Sequence, residues 1–243
     1  MRANSRRVAS RTFLFSLFAA GAGAAVAASA AAQCGRHQPV HELPDVRPDN
    51  PAGPAVPASP GEVLRAAGCA IGRNAGSANA LLATVPRSVE ERSQSASFIR
   101  GGRRCQGLPT EIRTSAQLVR GAAAESLYEA QFAAPPAPRT PEVGVRPMTR
   151  PGPSRDPAAT GLESAFALAE CTAARSPELV RALLATAPMT APEQGAFSAL
   201  DPAFLACVVP GSQIQVGARG LRSLLAEALY RWSVAQRDGP AAQ

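Results

Sequence analysis

Residues 218–235 read ARGLRSLLAEALYRWSVA, and residues 116–132, AQLVRGAAAESLYEAQF, match them without a gap 102 positions earlier. In the later segment the apolar side chains recur at steps of three and four residues, which is the pattern of a helix packed on a core. The matches continue upstream at the same offset and include the pentapeptide ALLAT at 80–84 and 182–186. So many ordered identities indicate an internal duplication.

Both copies carry helix-start residues at related positions. Ser59 with Glu62, and Thr160 with Glu163, predict capping boxes at the first helix of each copy. Further caps are predicted at Asn74 and Ser176 before the second helix, and at Ser88 with Glu91 and Thr190 with Glu193 before the third. The predicted fold is therefore all-α, with two tandem homologous units of about four helices each. We expect the two units to pack together and bury Leu224, Leu225 and Trp232.

Each copy contains two cysteines that are 36 residues apart. Four cysteines allow three pairings, but a bridge between the copies could not have existed before the duplication. This favours Cys69 with Cys105 and Cys171 with Cys207. Such a bridge stabilises a small unit by about 4 kcal/mol in the loop-entropy treatment. The alternative is buried free thiols; a metal site is disfavoured because no close Cys or His ligand pair accompanies the cysteines.

The N-terminus has the three-part pattern of a secretory signal peptide. Four arginines within the first eleven residues precede an apolar run from 12 to about 26, and small residues lead to Ala32. We predict a signal peptide at 1–32, cleaved near Ala32, and a periplasmic or secreted chain with no stable membrane span after cleavage. The alternative is an uncleaved membrane anchor. Cys34 follows the cleavage site and stays unpaired in the proposed scheme.

Two proline-rich segments separate the structured parts. Between residues 48 and 60, proline recurs at every third position, at Pro48, Pro51, Pro54, Pro57 and Pro60, and polyproline II also repeats every three residues. We predict a spacer at 33–58, with a ligand for a groove-type reader as the alternative, and a Pro/Arg-rich linker at 134–159. The helical repeats then occupy 59–133 and 160–237, and 238–243 is a disordered tail.

Composition excludes several function classes. All 25 basic residues are arginine, so chemistry that needs a Schiff-base lysine or a phosphate-loop lysine is excluded. Removal of the signal peptide leaves 21 arginines against 18 acidic residues, a net charge of +3. With aromatic residues at 5% of the chain, the basic face with stacking rings that is typical of nucleic-acid binding is missing. We expect no nucleic-acid partner and no cofactor.

Candidate site residues are few. The two histidines, His37 and His41, both lie in the first proline-rich segment, so we expect neither a histidine-activated nucleophile nor a metal site. One polar set recurs in both copies: Arg120, Glu125 and Tyr128, and Arg222, Glu227 and Tyr230. Such a set most often ties a helix to its neighbour through satisfied polar contacts. The alternative is a pair of catalytic carboxylates, as in glycoside cleavage.

The duplicated pattern of Cys, ALLAT, Cys and AExLY, together with the alanine and arginine bias, resembles exported proteins of high-GC alphaproteobacteria. That resemblance implies export and carries no activity with it. The sequence thus predicts an exported, non-catalytic helical module that binds a protein or envelope component. The alternative is a cell-envelope enzyme that acts on polysaccharide or peptidoglycan through Glu125 and Glu227.

Overall fold

The structure, a computed structural model, describes residues 57–102, 105, 108, 112–137, 157–208, 214 and 216–239. The predicted signal peptide, Cys34, both histidines, most of the two linkers and residues 240–243 lie outside the described residues. Within the described part all regular secondary structure is helical, so the all-α prediction is confirmed. The helices are α1 (Pro60–Ala83), α2 (Val89–Gly102), α3 (Ala116–Gln131), α4 (Pro157–Arg175), α5 (Pro177–Leu184), α6 (Ala191–Ala199), α7 (Asp201–Cys207) and α8 (Ala218–Asp238).

The first copy contains α1 to α3 and the second contains α4 to α8, and two breaks explain the difference. α1 leaves helical geometry at Asn74 (φ −158°, ψ 89°), and the corresponding residue Ser176 (φ −141°, ψ 55°) separates α4 from α5. Leu200 lies between α6 and α7, whereas α2 continues through the corresponding Phe98. Each copy therefore has about four helical segments, as predicted.

The predicted caps have different outcomes. Ser59 and Glu62 form a complete capping box at α1. The capping box predicted at Thr160 and Glu163 is wrong, because α4 already begins at Pro157 and Thr160 lies inside the helix. A proline is favoured in the first turn, where its missing N–H costs no helical hydrogen bond. Ser176 precedes α5 without a side-chain capping bond.

One disulfide closes each copy, which confirms the predicted pairing. Cys69 is bonded to Cys105 and Cys171 to Cys207, with Cα–Cα distances of 6.4 and 5.7 Å. Each bridge begins in the first helix of its copy, α1 or α4. In the first copy it reaches Cys105, which follows α2, and in the second it reaches Cys207, the last residue of α7. The bridges thus hold corresponding parts of the two copies together.

The two copies share one hydrophobic core, and α3 packs against α8 at its centre. The predicted core residues Leu224, Leu225 and Trp232 are all buried. At the crossing of the two helices, a Cβ atom on Gly121 would lie only 2.5 Å from Ser223 Cα. Gly121 and Ser223 are corresponding positions of the duplication. Contact between corresponding positions is expected on the axis of a twofold arrangement, where both partners use the same surface.

Candidate functional site

The repeated Arg and Glu side chains form two reciprocal ion pairs between the copies. Arg120 on α3 donates from Nε and Nη2 to the two carboxylate oxygens of Glu227 on α8, at 2.6 and 2.9 Å. Arg222 on α8 donates in the same way to Glu125 on α3, at 3.2 and 2.6 Å. All four residues are at most 5% exposed. We call these four residues the interlock.

The same arginines also bind the ends of the ALLAT helices. Arg120 donates to the carbonyl oxygens of Leu81, Leu82 and Thr84, at 2.6 to 3.1 Å. Carbonyls in the last turn of a helix have no partner within the helix and carry partial negative charge. A guanidinium placed there satisfies them and gains from the helix dipole.

Arg222 repeats these contacts in the second copy. It donates to the carbonyl oxygens of Leu183, Leu184 and Thr186, at 2.9 to 3.1 Å. The ALLAT pentapeptide is thus the receptor for an interlock arginine in both copies, and its threonine adds a hydroxyl within 3.4 Å of the guanidinium.

A second carboxylate lies beside each interlock arginine. Glu193 Oε1 lies 2.9 Å from Arg222 Nη1, and Glu91 Oε1 lies 3.7 Å from Arg120 Nη1. The other oxygen of Glu91 accepts the backbone N–H of Arg87. Glu193 likewise accepts the N–H of the corresponding residue, Met189. From the sequence, both glutamates were predicted only as members of capping boxes, although they recur at the 102-residue offset of the other matches.

Arg87 and Met189 share an unusual backbone conformation. Both have φ of 66°, in the left-handed region that costs a residue with a Cβ about 1–2 kcal/mol. In each copy this residue directs its N–H to the buried glutamate described above. The duplication therefore extends to a strained turn.

The two tyrosines of the repeated set do not join the interlock. Tyr230 Oη donates to Asn79 Oδ1 at 3.3 Å, and Phe132 stacks on Tyr128 with ring centroids 5.5 Å apart. Phe132 also meets the Tyr230 ring edge-on, at 6.5 Å. Burial raises the pKa of Tyr128 to about 12, and within the described part of the chain its hydroxyl has no hydrogen-bond partner. The tyrosines thus form a separate aromatic cluster.

The interlock carboxylates have little freedom for acid–base chemistry. Burial raises the pKa of Glu125 more than the hydrogen bonds and charge of Arg222 lower it. A raised pKa suits a general acid, but such a group must also reach its substrate. Both oxygens of Glu125 accept from Arg222. Glu227 is 1% exposed and accepts from Arg231 as well as from Arg120.

Two cavities of unequal size flank the crossing of α3 and α8. The larger has a volume of about 280 Å³, and the smaller of about 30 Å³. Their linings correspond through the duplication: Pro86, Arg87, Glu91, Gln117 and Arg120 line the larger, and Pro188, Met189, Glu193, Arg219 and Arg222 the smaller.

The larger cavity combines apolar walls with polar groups. Leu162, Phe166 and Leu224 line it and are buried. Gln117, near the start of α3, has a buried Nε2 with no hydrogen-bond partner among the described residues. The described residues contain no cluster of acidic, His and Cys side chains that could hold a metal ion. Among the helices of the described part, none is long and apolar enough to cross a membrane.

The chain matches no known protein family, no curated protein and no solved structure.

Proposed function

We propose that the chain is an exported, non-catalytic helical module that binds a component of the periplasm or the cell exterior. The observation that carries this proposal is the use of both repeated carboxylates in the interlock. Glu125 and Glu227 each accept two charge-assisted hydrogen bonds from an arginine of the other copy. Buried ion pairs of this kind hold the helices in one arrangement, and both oxygens of each carboxylate are already occupied by an arginine.

Export is supported by the two disulfides, since such bonds persist in oxidising compartments. The N-terminal arginines and apolar run predict the route out of the cytoplasm. Binding is supported by the larger cavity, which is lined by both polar and apolar groups.

The first experiment is expression of the full chain in a Gram-negative host, followed by N-terminal sequencing and non-reducing peptide mapping of the periplasmic and secreted fractions. We expect a chain that begins near Gln33 and contains Cys69–Cys105 and Cys171–Cys207 bridges. Recovery of only full-length, reduced chain in the cytoplasm would contradict export.

The second experiment separates binding from catalysis. The purified mature chain is incubated with isolated peptidoglycan sacculi, and soluble muropeptides are measured by chromatography. We expect no release above that of a heat-unfolded control. Release that disappears in folded Glu125→Gln or Glu227→Gln variants, with unchanged circular dichroism, would establish the carboxylates as catalytic and overturn the proposal.

A further inference from the structure

We propose that the larger cavity binds one small organic anion with an apolar tail, of the alkyl carboxylate class. This inference rests on the proposed function, because it assumes that the chain binds without transforming its ligand. It assigns the ligand's charge, its shape and the number of ligands per chain.

The apolar part of the ligand is assigned to the walls. Leu162, Phe166 and Leu224 are 5%, 1% and 2% exposed, and each contributes to the cavity surface. They come from α4 and α8 and form one side of the cavity. Small-molecule sites are typically concave and mostly apolar, with a few polar groups that set orientation. A volume of about 280 Å³ accommodates a short alkyl chain.

The charged end is assigned to Arg87 and Arg92, two exposed arginines that line the cavity. Arg92 Nη1 donates to the Arg87 carbonyl oxygen at 3.2 Å, and neither guanidinium forms an ion pair with a described residue. The cavity carboxylates, by contrast, are already neutralised: Glu227 by Arg120 and Arg231, and Glu91 by Arg120. An entering anion thus meets two arginines that form no ion pair at contact distance with a described carboxylate.

The start of α3 adds hydrogen-bond donors to the same lining. Ser115 caps this helix, and Ser115, Ala116 and Gln117 all line the cavity. Amide N–H groups of a first helical turn have no partner within the helix and favour an anion. The Gln117 side chain lines the cavity as well.

The smaller cavity differs from the larger one in its lining and size, which makes it an internal control. Met189 lines it in place of Arg87 and Arg219 in place of Gln117, and the residue that corresponds to Arg92 is the uncharged Gln194, which is not part of the lining. Arg219 Nε lies 3.2 Å from Met189 Sδ. The volume left, about 30 Å³, is close to that of one water. The two copies therefore differ in function, and the predicted stoichiometry is one ligand per chain.

The test uses isothermal titration of the mature, oxidised chain with three probes that share one tail: octanoate, octan-1-ol and octylammonium. We expect octanoate to bind saturably at one site, and the other two at least tenfold more weakly. Because both arginines are exposed, added salt should weaken octanoate binding. Equal binding of octylammonium, more than one site, or no saturable octanoate binding would overturn the proposal.

A matched pair of variants locates the site. Arg92→Gln removes one positive charge from the lining of the larger cavity, and Arg219→Gln removes one positive charge from the lining of the smaller one. We expect about a tenfold loss of octanoate affinity in the first and no change in the second. Equal effects would contradict the assignment. Failure of octanoate to bind leaves the sacculus assay unaffected, whereas muropeptide release there would refute the proposed function itself.

Discussion

Replacing each interlock arginine by methionine in turn tests whether the two ion pairs of the interlock contribute equally to the free energy of unfolding. Methionine keeps much of the apolar stem of arginine and removes the charge and all five donors. Removal of one partner from a buried ion pair typically costs about 3–5 kcal/mol, because the other charge stays buried. The structure places the two substitutions at different points of this range.

Loss of Arg120 leaves most of its acceptors with another donor. Glu227 keeps Arg231 at 2.8 Å, and the Leu82 carbonyl keeps the same arginine at 2.6 Å. The Leu81 carbonyl keeps the hydroxyl of Thr84. We therefore expect Arg120→Met to lower the free energy of unfolding by about 3 kcal/mol.

Loss of Arg222 is more damaging. Within the described residues no other cation lies at ion-pair distance from Glu125, and Glu193 loses its cation as well. The carbonyls of Leu184 and Thr186 lose their donor too. We expect Arg222→Met to cost about 5 kcal/mol, which is comparable with the entire stability of many domains.

The assay is urea unfolding of the oxidised mature chain at neutral pH, followed by circular dichroism. Burial raises the pKa of Glu125 even beside Arg222. In Arg222→Met the folded state therefore binds this proton more tightly than the unfolded chain does, so stability is regained as pH falls and lost as pH rises. An Arg120→Met loss equal to or larger than that of Arg222→Met would refute this reasoning.

Three further substitutions test other parts of the fold. Gly121→Val should lower the free energy of unfolding by about 3 kcal/mol, because the larger side chain overpacks against Ser223. The control is Ser223→Ala, which should lower the free energy of unfolding by less than about 1 kcal/mol. Thermal melts of both variants measure the difference. Burial raises the pKa of Glu91 above its ordinary 4.5, so the protonated side chain favours the folded state. The unfolding free energy of the wild type minus that of Glu91→Gln should therefore fall as pH rises from 4.5. If urea titrations show that this difference increases with pH, the prediction is wrong. Arg87→Gly should relieve the left-handed strain and raise the unfolding free energy by about 0.5 kcal/mol, and a lower melting temperature would count against it.

Capping was the least predictable part of the helices. The box at Ser59 formed because the hydroxyl and Glu62 lie within one turn of the helix start, whereas Pro157 began α4 before Thr160 could cap it. The sequence showed the repeated polar set but not that its members lie in two separate places. Tyr128 and Tyr230 lie in an aromatic cluster, and two glutamates outside the set, Glu91 and Glu193, contact the arginines.

The sequence by itself determined the helices, their duplication and the disulfide pairing, because helical periodicity is local and an equal Cys spacing survives copying. Only the tertiary structure decided which carboxylate each arginine meets. Arg120 and Glu125 are five residues apart on one helix, so they point in different directions and cannot pair within their own copy. The close contact at Gly121 and Ser223 brings α3 and α8 together, and each arginine then meets the glutamate of the other copy. The unequal cavities have the same origin, since their size depends on how side chains of both copies pack around that contact.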